Sequence, residues 1–373
     1  MTLAIGIMSG TSLDGVDAVL AAFPGSEGRA LDVRAHAWRP FGDSFGSELL
    51  ALNASGVDEL HRAALAANAL AALYVEVVDE LLRTAGLERS AVRAIGAHGQ
   101  TVRHRPGQFD GIGYTLQLNA PALLAERTGI DVVADFRSRD VAAGGTGAPL
   151  VPAFHRAVFA RDRETIGVLN LGGIANLTVL RGDGGTLGFD CGPANALLDH
   201  WTRQHQGRAY DTGGAWAASG RVHEPLLATF RQEPFFALQP PKSTGRDLFR
   251  PDWLTRALAA FAGAPPSPVD VQATLAELTA RTCADDFERH APDARRLLVC
   301  GGGAMNDHLM RRLAALLPGV RVERTDAHGL PANQVEASAF AWLALACLEA
   351  RPGNLPSVTG ARGPRILGAI YRA

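Results

Sequence analysis

A glycine-rich polar turn between two apolar runs occurs twice in this chain, and the repetition constrains the fold more than any other feature. Ile5 to Leu20 reads as an apolar run, the turn Ser9-Gly10-Thr11-Ser12-Leu13-Asp14-Gly15, and a second apolar run. Val168 to Leu180 repeats the pattern around Gly172-Gly173. A polar glycine turn between apolar runs signals a β-hairpin, so two lobes built on one plan are expected. A further apolar run, Arg296 to Cys300, leads into Gly301-Gly302-Gly303. Short apolar runs bounded by glycine fit buried strands. Between them, Asp58 to Ala85 (closed by Gly86), Asp270 to His290 and Val335 to Ala350 carry apolar residues at three- and four-residue steps, the helical period. Strand and helix patterns alternate, which makes the class α/β. The expected lobes are residues 1–150 with 353–373, and residues 151–352. The stretches Pro234 to Pro241 and Gly263 to Pro268 read as loops.

Composition removes several functional classes. Lys+Arg 36 against Asp+Glu 38 gives a net charge of −2, which argues against a polybasic nucleic-acid binder. No apolar run reaches the ~18–20 residues of a membrane helix. The first charge is Asp14, so no basic leader precedes an apolar segment and no secretory signal is expected. Cys191, Cys283, Cys300 and Cys347 stand far apart without C-x-x-C spacing, which fits a reducing cytoplasm and gives neither a disulfide framework nor a zinc site. Lysine occurs once, at Lys242, behind Pro241. A Walker-A loop needs Gly-Lys-Ser/Thr and a protein kinase needs a strand lysine, so both are excluded. A lone lysine among arginines marks either chance survival or a place where a planar fork will not serve.

The first turn offers the Ser9, Thr11 and Ser12 hydroxyls, backbone N–H groups and the Asp14 carboxylate. Hydroxyls and N–H groups cradle phosphate oxygens, and an aspartate beside them can hold Mg²⁺ directly or through water. The same residues also make an ordinary turn. The second hairpin, with Gly172 and Gly173, strengthens the phosphate reading, because two glycine hairpins can clamp a triphosphate. Gly301, Gly302, Gly303 and Asn306 precede a helix-like run, Asp307 to Leu317, and a helix N-terminus behind glycine suits a nucleotide. His98 and His104 are six apart with no third ligand nearby, so a metal site there is not expected.

These three elements in this order resemble the superfamily of sugar kinases, heat-shock chaperones and actin. The motif Gly6 to Asp17 is similar to the signature of the anhydro-N-acetylmuramic acid kinases. So are His98 to His104, Asp135-Phe136-Arg137, Gly144 to Leu150, Asn170 to Thr178, Phe189 to Asn195 and Pro240 to Arg246. Together they run from the first strand to about Ala344. The family more often has Gln where Thr146 stands and Thr where Cys191 stands. The resemblance implies two duplicated lobes of the actin-like ATPase (ribonuclease H-like) type with an interlobe cleft. It also implies a cytoplasmic enzyme of peptidoglycan recycling, paired as a homodimer. That enzyme would use ATP and Mg²⁺ to open 1,6-anhydro-N-acetylmuramic acid with water and phosphorylate O6.

Residue by residue, the resemblance makes Asp190 the base that activates water, where an aspartate before Gly-Pro otherwise caps a turn. Gly10, Thr11, Ser12, Leu13, Asp14, Gly15, Val16 and Asp17, with Gly172, Gly173, Gly301, Gly302, Gly303 and Asn306, would bind the nucleotide, Asp14 holding the metal. Gln100, Thr101, Arg137 and Glu336 would contact the sugar. Arg137 could instead pair with Asp135 or Asp140, and Glu336 could simply complement a helix dipole. Competing readings are a kinase for another sugar, a non-enzymatic ATP-dependent clamp, and a nicotinamide dehydrogenase.

Overall fold

The computed structural model describes the chain apart from residues 11, 12, 25–30, 245–247 and 265. Its strands are β1 (Thr2–Ser9), β2 (Gly15–Phe23), β3 (Asp32–Pro40), β4 (Val92–Pro106), β5 (Gly113–Leu118), β6 (Val132–Ala134), β7 (Ile166–Leu171), β8 (Ile174–Leu180), β9 (Thr186–Pro193), β10 (Arg296–Cys300), β11 (Arg321–Arg324) and β12 (Ala369–Tyr371). The chain divides into two compact units, Met1–Val158 with Gln334–Ala373, and Phe159–Asn333.

The first unit contains the sheet β12-β6-β4-β1-β2-β3, with β5 paired to β4. β1, β2 and β3 form an antiparallel meander, and β4 and β6 then add in parallel with β1. The second unit contains β11-β10-β7-β8-β9. There β7, β8 and β9 form the antiparallel meander, and β10 and β11 add in parallel. Apart from the extra β5 and β12, order and direction are the same in both sheets. The duplication read from the two hairpins is therefore a duplication of topology, and the α/β class holds in each unit.

The Glu59–Ala85 helix ends at Gly86 in the left-handed conformation, a C-terminal stop that glycine adopts without strain. Its Leu70, Tyr74, Val77 and Leu81 join Ile5, Ile7, Val16 and Ala18 in one apolar core. Alternate residues of a strand point to opposite faces, so Gly6 looks away from that core. A Cβ on Gly6 would lie 1.8 Å from the Ala337 carbonyl oxygen, and one on Gly96 would lie 2.0 Å from that of Phe340. The Val335–Leu348 helix thus lies directly on the strand backbones, and it is buried on nearly every side. An all-round apolar helix must be covered on all sides. This explains why the chain rejoins the first unit at Gln334 and not at residue 353. The crossover segment folds as the Val151–Phe159 helix, so the first boundary falls at residue 158 instead of 150. Within the expected Pro234–Pro241 loop, Pro234–Ala237 makes a 3₁₀ turn, and the Pro268–His290 helix begins where the second loop ends.

Candidate active site

In the first unit the β1–β2 turn is built from the predicted residues, of which Thr11 and Ser12 lie outside the described residues. The Leu13 N–H donates to the Gly10 carbonyl at 3.2 Å, and Leu13 has φ of 58°. The Asp14 carbonyl is fixed by the Phe41 N–H, while the residue itself is exposed. Of the turn's three hydroxyls, that of Ser9 points inward, hydrogen-bonded to Tyr74 Oη and donating to the Gly99 carbonyl, both at 3.1 Å. It belongs to the core and is not a phosphate donor. Gly15 and Val16 are buried in β2, so Val16 has only backbone to offer. Asp17 Oδ1 lies 2.6 Å from His36 Nε2.

Gln100 is fully buried; its Nε2 donates to the Gly10 carbonyl at 3.2 Å, and its Oε1 has no partner among the described residues. An unpaired buried amide oxygen is costly, and this one is closed to solvent. Thr101 Oγ1 accepts from Gln117 Nε2 at 3.2 Å.

Arg137 pairs with neither Asp135 nor Asp140. Asp140 is occupied by the Gly147 N–H, Asn354 and Thr359, and Asp135 by the Ser138 N–H. The guanidinium instead grips His98 Nε2 through Nε (3.1 Å) and Nη2 (2.8 Å), and donates from Nη1 to the Gly147 carbonyl at 2.7 Å. Burial and the guanidinium hold His98 well below its ordinary range, so it stays neutral and accepts. Burial lowers Arg137 to about 10, with Glu336 opposing that shift. Glu336, in the first turn of the Val335–Leu348 helix, is pushed up to about 7 by burial and by Asp17 and Asp14, against the pull of Arg137. Asp14, Asp17, Arg137 and Glu336 therefore form one electrostatic group.

In the second unit the Gly172–Gly173 turn docks on the start of the Asn195–Gln206 helix. The Gly172 carbonyl accepts from the Asn195 N–H, the Gly173 carbonyl from Ala194 and Ala196, and Asn195 Nδ2 donates to the Leu171 carbonyl. Gly301 has φ of 80°, and a Cβ there would lie 2.3 Å from Asn170 Oδ1, so glycine is required on both counts. Gly302 and Gly303 open the 3₁₀ turn that follows, Gly302–Met305. Asn306 caps the Asp307–Leu316 helix, its Oδ1 accepting from the Leu309 N–H at 3.1 Å. The cap occupies the amide oxygen and leaves the two Nδ2 donors unspent by it.

Asp190 lies inside β9, not at its end. Ala175 is opposite Gly192 and Asn176 is opposite Asp190, so Cys191 is an extra, unpaired residue: a β-bulge. Cys191 is buried, its thiol beside that of Cys283. Asp190 is 8% exposed. Its Oδ2 accepts from Ser243 Oγ at 2.9 Å and from the Thr244 N–H at 2.8 Å. Among the described residues no donor reaches Oδ1. Burial pushes Asp190 up to about 6, against the Thr244 and Ser243 hydrogen bonds and the Lys242 charge. A carboxylate anchored through one oxygen, with a raised affinity for protons, is equipped to take a proton near neutral pH. Lys242 is buried, with Nζ 2.9 and 3.2 Å from the Asp286 oxygens. In the first unit Thr146 Oγ1 donates to Ala148 O, and the Thr146 N–H to Thr359 O, so this departure from the family pattern ties the 144–150 segment to the chain near residue 359.

Sequence reasoning missed the bulge, the Ser243–Thr244 donors and the His98–Arg137 pair. The Pro-Pro-Lys-Ser-Thr-Gly motif was the available signal for the second of these.

A sequence model of the anhydro-N-acetylmuramic acid kinases matches residues 2–373. An anhydro-N-acetylmuramic acid kinase of Variovorax paradoxus is 61% identical over 376 residues, covering 100% of this chain and 99% of that one. Those of Cupriavidus pinatubonensis and Cupriavidus metallidurans are 60% and 58% identical, each covering 98% of this chain and 97% of theirs.

Proposed function

The chain belongs to the anhydro-N-acetylmuramic acid kinase family, and from that premise we propose that it opens 1,6-anhydro-N-acetylmuramic acid with water and phosphorylates O6 at the expense of ATP, in peptidoglycan recycling. The products are N-acetylmuramic acid 6-phosphate and ADP. The observation that carries the activity is the match over residues 2–373.

Asp190 is the general base. It takes a proton from the water that attacks the anomeric carbon, the C1–O6 bond breaks, and O6 bonds to the γ-phosphorus as ADP leaves. The anchored Oδ2 fixes the carboxylate plane, and Oδ1, which no donor among the described residues reaches, is the oxygen for the water. Phosphoryl transfer depends chiefly on positioning and charge neutralisation. Gly10 to Asp17, Gly172, Gly173 and Gly301 to Gly303 supply backbone toward the nucleotide. Arg137, held by His98 and Gly147, presents a fixed fork to the lactyl carboxylate, and Gln100, Thr101 and Glu336 bond the sugar.

Among the described residues no group of three or more His, Cys, Asp or Glu side chains could hold a metal ion by itself. Mg²⁺ commonly takes one or two carboxylates and completes its shell with phosphate oxygens and water, which the exposed Asp14 carboxylate suits. Asp14 would hold the ion, which when bound neutralises phosphate charge. Among the described residues no helix is long and apolar enough to cross a membrane. We propose a cytoplasmic enzyme that pairs as a homodimer; light scattering on the purified protein checks the pairing and cell fractionation checks the location.

The test is ADP release with ATP and a panel of sugars. Turnover with the anhydro-sugar and none with glucose or N-acetylglucosamine is the expected result. Turnover on glucose without the anhydro-sugar would transfer the chain to another kinase specificity.

A further inference from the structure

Thirty-six basic residues include a single lysine, and the fold buries it. Lys242 Nζ bonds both oxygens of Asp286 on the Pro268–His290 helix and sits 5.5 Å and 5.2 Å from the ring centroids of Phe189 and Phe235. Phe189 is the neighbour of Asp190 in β9. The same segment grips Asp190 at three points, two through its main chain and one through the Ser243 hydroxyl. The Asp190 N–H donates to the Lys242 carbonyl at 3.1 Å, and Ser243 Oγ and the Thr244 N–H donate to Oδ2.

We infer that Lys242 is a positioning residue for Asp190: its buried ion pair with Asp286 pins the Lys242–Thr244 strap to the helix, and the strap in turn fixes the carboxylate in the bulged strand. The inference rests on the reading of Asp190 as the base. Lys242 reaches no solvent-facing phosphate site, because its ammonium is enclosed by Asp286 and two rings. A guanidinium is broader, planar and needs more donors satisfied, so arginine is a poor substitute in such a pocket. Both oxygens of Asp286 are bound by one ammonium, the kind of short, fully enclosed contact that fixes a backbone segment against drift. A displacement of about 1 Å at a catalytic group can cost on the order of 100-fold in rate. Bulges re-aim side chains, so a strand carrying one at Cys191 needs an external brace to hold its neighbour in a single orientation.

The charged and titratable groups around the pair include Asp190, His290, Arg289 and the Cys191 and Cys283 thiols, with Arg231 and Asp285 lining the same pocket as Asp286. His290 is held down by burial and stays neutral. Lys242 is thus the positive charge that acts on Asp190.

The test compares wild type, Lys242→Arg, Lys242→Met, Lys242→Met with Asp286→Leu, and Asp190→Asn. Urea unfolding, kcat, KM for ATP and the anhydro-sugar, and the kcat–pH profile are measured. The double variant replaces the ion pair with apolar groups and keeps the fold where the single variant leaves a buried charge unpaired. Its expected behaviour is a near-wild-type unfolding midpoint, both KM values within about threefold, kcat lower by about tenfold or more, and an acidic limb moved to higher pH. A folded double variant with wild-type kcat and limb overturns the inference. If it does not fold, Lys242→Arg decides: a lowered kcat with KM retained supports positioning, and wild-type kcat overturns it. Asp190→Asn separates the two claims. Wild-type turnover by that variant removes the base itself. An inactive Asp190→Asn beside fully active Lys242 variants removes only the positioning role.

Discussion

Replacing Asp190 with asparagine should stabilise the protein while it removes the base. Burial raises the carboxyl from 3.8 to about 6. The folded state therefore binds this proton more tightly than the unfolded chain does. The cost of ionising the buried group is fully present above pH 6, shrinks as pH falls from 6 toward 3.8, and is absent below that. At 1.36 kcal/mol per pH unit, the integrated cost is about 3 kcal/mol at pH 7.5 and about 1 kcal/mol at pH 4.5. Asparagine keeps a carbonyl oxygen for Ser243 and Thr244 but cannot ionise. Urea unfolding of both proteins at the two pH values should show a gain of up to about 3 kcal/mol for Asp190→Asn at pH 7.5, reduced to about 1 kcal/mol at pH 4.5. A variant less stable than wild type at pH 7.5, or a gain that does not change with pH, would refute the argument that burial loads the carboxylate.

Other substitutions probe the parts separately. Ser243→Ala removes one of the two donors to Oδ2. A hydrogen bond to a charged group is worth ~1.5–3 kcal/mol, so the acidic limb of kcat should rise by ~1–2 pH units, and an unmoved limb in a kcat–pH titration would contradict the assignment. Arg137→Lys loses the fork on His98 and Gly147; KM for the anhydro-sugar should increase by about tenfold or more with a smaller change in kcat, whereas an unchanged KM would separate Arg137 from the sugar. Gly6→Ala drives a methyl into the backbone of the Val335–Leu348 helix, 1.8 Å from a carbonyl oxygen, so loss of about 3 kcal/mol or more, or insoluble protein, is expected in expression and unfolding assays.

The duplicated meanders were legible because each is local: apolar run, glycine turn, apolar run, within a few residues of one another. Asp190 was named as the candidate base by resemblance, but its setting was not legible. The bulge at Cys191 depends on how β9 registers against β8, which no residue in β9 announces. Nothing near Gly6 or Gly96 in the sequence explains a glycine there, because the reason for each is a helix more than two hundred residues later in the chain. For the same reason the return to the first unit at Gln334 was placed too late. Arg137 was read as a sugar contact with Asp135 or Asp140 as the alternative; of its protein partners, His98 is remote in sequence and could not be seen there, while Asp140 is taken by Gly147, Asn354 and Thr359. Lys242 stood out by count alone; only its burial against Asp286 says what a lysine does there.

In the proposed reaction, solvent relieved of its proton by Asp190 enters at the anomeric carbon. Turnover in ¹⁸O-labelled water, quenched by borohydride reduction before the anomeric hydroxyl exchanges, tests it by mass spectrometry. One labelled oxygen on C1 of the sugar phosphate and none in the transferred phosphoryl group is the predicted result. Label in the phosphoryl group, or none at C1, would contradict it.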